Sequence, residues 1–154
     1  MIVTAWRITK RKHARNAFTG EGAAEFGGRW NNPGTAIVYT AQSQSLAALE
    51  MLVHLDSPDL LQEYVLIGAE FEQSLIRRVE PSALPRDWTS NPPPPEVRSV
   101  GEEWVLAGSS AVLQVPSALV PGESNFLLNP AHRDFARLRF GRPLAFRFDP
   151  CLKR

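Results

Sequence analysis

Four consecutive prolines, Pro92–Pro95, within LPRDWTSNPPPPEVRS constrain this chain more than any other feature. They offer no backbone donors and hold an extended, polyproline-like path, so neither a helix interior nor a central strand can pass through them. Regular elements must lie on either side. The segment is read as a surface connection within one domain rather than a ligand for an SH3-type module, because elements of the same unit flank it.

Before the prolines, Val3 to Ile8 reads as a strand leading into a basic, glycine-containing loop from Lys10 to Gly28. The turn signal NNPG precedes a short β-branched strand, Ala36 to Thr40. Ser43 is placed to cap a helix from Gln44 to Leu55, which Pro58 cannot continue. Tyr64 to Phe71 and Leu75 to Val79 read as further strands. After the prolines come a helix from Val97 to Leu106, a strand from Ala111 to Val115, a short helix from His132 to Leu138 and a strand from Ala145 to Phe148. Strands dominate both halves with helices inserted between them, which predicts an α+β class rather than a doubly wound parallel sheet. At 154 residues the chain, 1–154, is expected to form a single domain.

Charge is unevenly spread. Residues 1–49 carry six basic and two acidic side chains, a net of +4, residues 50–103 a net of −7, and residues 104–154 a net of +4. Basic ends around an acidic middle suit a small anionic ligand held by both ends, and equally a charged protein partner. Direct nucleic-acid binding is disfavoured, since the basic residues are not interleaved with aromatics along one stripe and the pI is about 8.0. No apolar run approaches the roughly 20 residues that span a bilayer, and MIVTAWRITKRK places its charges after its apolar residues, unlike a signal peptide. A cytoplasmic setting without membrane contact is expected. One cysteine, Cys151, cannot form an internal disulfide or a cysteine-based zinc site.

The chemistry concentrates in FGGRWNNPGTAIVYTAQSQSLAALEMLVHL, residues 26–55. At 100° per residue, Leu46, Leu49, Glu50 and Val53 share one helix face, so Glu50 is expected to point inward or along a cleft. A carboxylate there needs either a structural ion pair, with Arg29 as a candidate, or a ligand pocket that uses its charge. Gly27 and Gly28 allow positive φ or close approach of the backbone, and Arg29 offers a planar fork suited to phosphate. Arg7, inside the strand AWRI, is expected to face inward and to need an anion. Tyr39 can stack on a flat heterocycle and offer its hydroxyl.

The series WRI, GGRW, VYTA, ALEMLVHL and VPSALVPGESNFLLNP, followed by His132, resembles the RES domain, named for its Arg, Glu and Ser. That family is the toxin half of bacterial RES–Xre toxin–antitoxin modules, and the resemblance runs in order from Trp6 to His132. It implies a domain similar to the ADP-ribosyltransferase toxins, with central antiparallel or mixed sheets, flanking helices and a cleft for NAD. It also implies site residues: Arg7, Arg29, Tyr39, Glu50, Ser117 and Asn125. NAD would be the substrate, with no resident cofactor and no metal. Arg7 and Arg29 would clamp the pyrophosphate, Tyr39 would stack on nicotinamide, and Ser117 would bond the nicotinamide ribose or its amide. Glu50 would stabilise the positive charge that develops on the ribose as the nicotinamide bond breaks. Water, phosphate and a protein side chain all remain open as acceptors, with degradation of free NAD ranked first. An Xre-type antitoxin is the implied partner, with DNA contacted only through it; a homodimer within that complex is left open. A non-catalytic nucleotide-binding or interaction module stands as the alternative from another class.

Overall fold

The computed structural model describes residues 1–153. Eight strands lie among them: β1 (Ile2–Lys10), β2 (Val38–Ala41), β3 (Tyr64–Glu72), β4 (Ile76–Arg78), β5 (Val112–Pro116), β6 (Ser124–Leu128), β7 (Arg139–Phe140) and β8 (Leu144–Phe146). The α-helices among the described residues are α1 (Glu21–Phe26), α2 (Gln44–Leu52) and α3 (Pro95–Ala107). The strands form one sheet in the order β4-β5-β6-β2-β1-β3-β7, with β8 also paired to β3. β4 and β5 run parallel and the other pairs antiparallel, so the sheet is mixed and the class is α+β, as expected.

The sheet is nearly two sheets. β1 pairs with β3 along its whole length, from Ile2↔Glu72 to Lys10↔Tyr64. With β2 it shares a single register pair, Trp6↔Ala41. Beyond that pair the strands part, and the guanidinium of Arg7 donates to the Tyr39 carbonyl at 3.1 Å, satisfying an acceptor that a continued ladder would have paired. Helix α2 spans the opening on one face, where its buried Leu46 and Ala47 join Ile8 of β1 and Ala41 of β2 in one core. A second core holds α3 through Val97 and Trp104, packed with Trp30, Ile37, Leu113 and Leu127.

Several elements depart from expectation. The Lys10–Gly28 segment contains a 3-10 turn, Arg11–Asn16, as well as α1. β6 arises inside SNFLLNP, where the prolines and glycine on either side masked a strand that is buried between β2 and β5. The expected C-terminal helix is a 3-10 turn, Arg133–Arg137, capped by the His132 ring, and the last strand is shorter and preceded by β7. α2 stops at Leu52, short of Leu55. α3 begins two residues before its expected start, because Pro95 takes the first helical position, where a missing N–H costs nothing. No helix among the described residues is long and apolar enough to cross a membrane.

Gly101 sets how closely α3 can approach. A Cβ at this position would stand 2.1 Å from the Trp30 carbonyl oxygen, a backbone atom that cannot swing away. Gly101→Ala is therefore expected to destabilise the fold by about 3 kcal/mol, the upper end for overpacking in a core. Urea unfolding checks this; an alanine variant with an unchanged midpoint would show that the helix moves away freely.

Candidate active site

Where β1 and β2 part, they leave a cavity of about 650 Å3, within the roughly 300–1,000 Å3 typical of small-molecule sites. Arg7, Arg29, Tyr39, Glu50 and Asn125 all line it, from five separate stretches of chain.

Glu50 is half-buried on α2, and its partner is an amide. The Asn125 Nδ2 group donates to both carboxylate oxygens at 2.9 Å and also to the Thr40 carbonyl at 3.1 Å. A backbone carbonyl and a carboxylate, neither able to donate when ionised, thus fix which way the Asn125 amide points. No arginine or lysine forms an ion pair with Glu50 among the described residues. Burial pushes its carboxyl pKa up to about 7; the Asn125 hydrogen bond opposes this rise and the nearby Glu123 charge adds to it. The site therefore holds a carboxylate whose charge the protein itself does not neutralise.

Arg7 faces it from β1. Its Nη1 donates to the Tyr39 carbonyl, its buried Nε–H has no hydrogen-bond partner, and burial lowers its pKa from the usual arginine range. Arginine stays protonated regardless, so a buried N–H is left unsatisfied, which costs about 1–3 kcal/mol unless a ligand accepts it. Arg29 is partly committed: one of its terminal nitrogens donates to the carbonyls of Trp88 and Ser90, each at 2.9 Å. It thereby straps the connection before the prolines to the cavity rim, where Thr89 and Asn91 are exposed to the cavity. The Tyr39 hydroxyl is also engaged, donating to Asn31 Oδ1 at 2.5 Å and accepting from the Trp30 N–H at 3.1 Å. Burial pushes that phenol well above its ordinary pKa, so it stays protonated. Asn31 is wholly buried and donates in turn to the carbonyls of Ala23, Asn32 and Thr35.

Comparison with known proteins places the whole chain in a family. The family model of the RES domain matches residues 4–149. The chain belongs to that family. A curated relative from Yersinia enterocolitica, named Toxin Res, is 45% identical over 149 residues, covering 96% of this chain and 98% of its own. One from Sphingobium sp., named Prs ADP-ribosylating toxin, is 37% identical over 97% of this chain and 96% of its own. Among solved structures, a chain of the M. tuberculosis MbcT–MbcA toxin–antitoxin complex superposes with a TM-score of 0.78 over 99% of this chain and 87% of that one, at 22% identity, a likeness of fold.

Ser117 stands apart in this RES domain. It is buried beside the cavity, and its hydroxyl accepts the N–H groups of Leu119 and Val120, both at 3.1 Å. It shapes the turn that brings Ala118 and Leu119 to the rim. The helix face also differs from expectation. Leu49 is exposed and lies off the cavity; Val53, also exposed, lines it together with Ala47, Glu50, Met51 and His54, the last four at i, i+3, i+4 and i+7. The apolar pattern misled because Leu49 looked like a core residue. The two glycines divide their roles. Gly27 has a φ of 75° at the end of α1, whereas a Cβ on Gly28 would come within 2.6 Å of the Tyr39 hydroxyl, so the close approach is to the protein. Asn31, the hub of this network, lies in NNPG, which by sequence reads only as a turn.

The raised Glu50 pKa has a consequence for stability. Between about 4.5 and about 7 the folded chain holds a proton that the unfolded chain has released, so stability falls as pH rises through that window. The full cost above it is roughly 3 kcal/mol. Glu50→Gln keeps an acceptor for Asn125 and removes the charge, so it is expected to melt higher than wild type at pH 8 and level with it at pH 4. Thermal melts across that range test this; a glutamine variant less stable at pH 8 would mean that the charge supports the fold.

Proposed function

We propose that this RES domain is the toxin of a toxin–antitoxin module, that it cleaves the nicotinamide–ribose bond of NAD, and that an Xre-type antitoxin holds it in check. The observation that carries the reading is one of charge. Glu50 has no protein cation paired with it, and Arg7, whose buried Nε–H has no hydrogen-bond partner, lines the same cavity. NAD complements both, with a cationic nicotinamide at one end and an anionic pyrophosphate between its ribose groups. The names of the Yersinia relative and of the superposed complex support a toxin with an antitoxin partner.

In this mechanism Arg7 and Arg29 hold the pyrophosphate and the Tyr39 ring packs against nicotinamide, its hydroxyl occupied by Asn31. The glycosidic bond breaks, and its electron pair leaves with the nicotinamide nitrogen. Positive charge then appears on the ribose ring oxygen and anomeric carbon, beside the half-buried Glu50, where it is screened less than in bulk water. An acceptor lone pair bonds to that carbon and the acceptor's proton is released. Asn125 keeps the carboxylate pointed without neutralising it. The cationic nicotinamide of bound NAD also favours the ionised form of Glu50, offsetting burial. Water or phosphate is the first acceptor proposed, so that free NAD is degraded. Transfer to a protein is the second reading, favoured by the name of the Sphingobium relative. DNA is reached through the antitoxin.

If Glu50 must be ionised, kcat/KM for nicotinamide release should climb with pH and level off above about 7, since that ratio reports the free enzyme. Glu50→Gln should abolish the climb and cost about a hundredfold or more in kcat, with NAD affinity changed far less. A glutamine variant with the wild-type rate and profile would rule out the role. Arg7→Lys keeps the charge but loses Nε and the planar fork, and is expected to raise KM for NAD about tenfold while kcat changes little. An unchanged KM would place the pyrophosphate elsewhere.

A further inference from the structure

A second depression, of about 370 Å3, lies beside the cavity and is lined by Arg15, Phe18, Thr19, Ile67, Phe140 and Pro143 among others. The two share a wall. Ala14, Arg15, Phe18 and Thr19 line the groove, while Asn16, Gly20 and Glu21 of the same segment line the cavity. On the sheet beneath, Arg7 of the cavity is the register partner of Ile67 of the groove, so their strands lie roughly 4.8 Å apart.

The groove has its own chemistry. Its floor is aromatic, with the rings of Phe18 and Phe140 stacked at 4.0 Å between centroids and Phe135 at 5.5 Å from Phe140. Phe140 is 39% exposed there. No carboxylate lines it, whereas Glu21 and Glu50 line the cavity. Arg15 lies in its wall, and Arg142, exposed between the lining residues Gly141 and Pro143, stands at its edge. The fold thus brings the two net-basic ends of the sequence together around an apolar slot.

We propose that this groove docks an acidic segment of a partner protein. The charge of the docked segment complements Arg15 and Arg142, and its apolar side chains fit the phenylalanine slot.

The test uses the intact chain and an Arg15→Glu/Arg142→Glu variant; both positions are exposed, and melting curves verify that the variant folds. Binding of a fluorescent oligoglutamate peptide is followed by anisotropy at rising salt, and nicotinamide release from NAD is measured separately without any acceptor. The expected result is peptide binding that weakens with salt and is at least about tenfold weaker in the variant, with nicotinamide release equal in both. Absence of peptide binding overturns the proposal, as does binding that the variant retains. Tighter binding of an RNA or duplex DNA oligonucleotide overturns it in favour of nucleic acid. Self-association that the double substitution dissolves overturns it in favour of a second copy of this chain. Because peptide binding needs no NAD, a failure to release nicotinamide counts against the cavity reading and leaves the docking result standing.

Discussion

The structure depends on an interruption in its sheet. Strands β1 and β2 meet at Trp6 and Ala41 and then separate, with a side-chain hydrogen bond from Arg7 to the Tyr39 carbonyl where a backbone ladder would have continued. A closed ladder would have been the more stable local arrangement, since each strand otherwise leaves polar groups to be satisfied elsewhere. Opening it brings β1, β2, α2 and β6 around one space, which lets residues far apart in sequence face a common ligand. Helix α2 makes the opening tolerable by packing Leu46 and Ala47 against both strands at once.

Within that opening the protein tolerates an electrostatic cost. A half-buried carboxylate with only an amide for company, and an arginine with an unsatisfied buried N–H, are each unfavourable in the empty fold. An ion pair between them would have relieved both and left nothing for a ligand. Keeping the charges apart costs stability and leaves both groups without a charged partner in the protein.

The turn carrying Arg29 is held from three directions. Asn31 ties it to α1 and to Tyr39, the Glu102 carboxylate of α3 accepts the Asn32 N–H at 2.6 Å, and the Gly101 surface of α3 rests against Trp30. Arg29 in turn holds the carbonyls of Trp88 and Ser90, so the chain leading into the prolines becomes part of the cavity rim. The proline tract ends where α3 begins, and its stiffness helps set where that helix starts.

Much of this could be read from the sequence because its signals are local. The β-branched runs gave β1, β2, β3 and β5; Ser43 caps α2 and accepts the Leu46 N–H as its position suggested; and Pro92–Pro94 lie outside any helix or strand, with Pro95 opening α3. Residue types and their order also pointed to the family and to Arg7, Arg29, Tyr39, Glu50 and Asn125. Tertiary contacts decided the rest. Whether Glu50 meets an arginine or an amide depends on β6, a strand that the flanking prolines and glycine mask and that pairs with β2 on one side and β5 on the other. That the Tyr39 hydroxyl and the Ser117 oxygen serve the protein's own backbone and side chains follows from groups brought within about 3 Å by folding, as does the meeting of two basic ends around one groove. Sequence supplied the charges and the local elements; only the packed sheet determined which of those charges would be left without a partner.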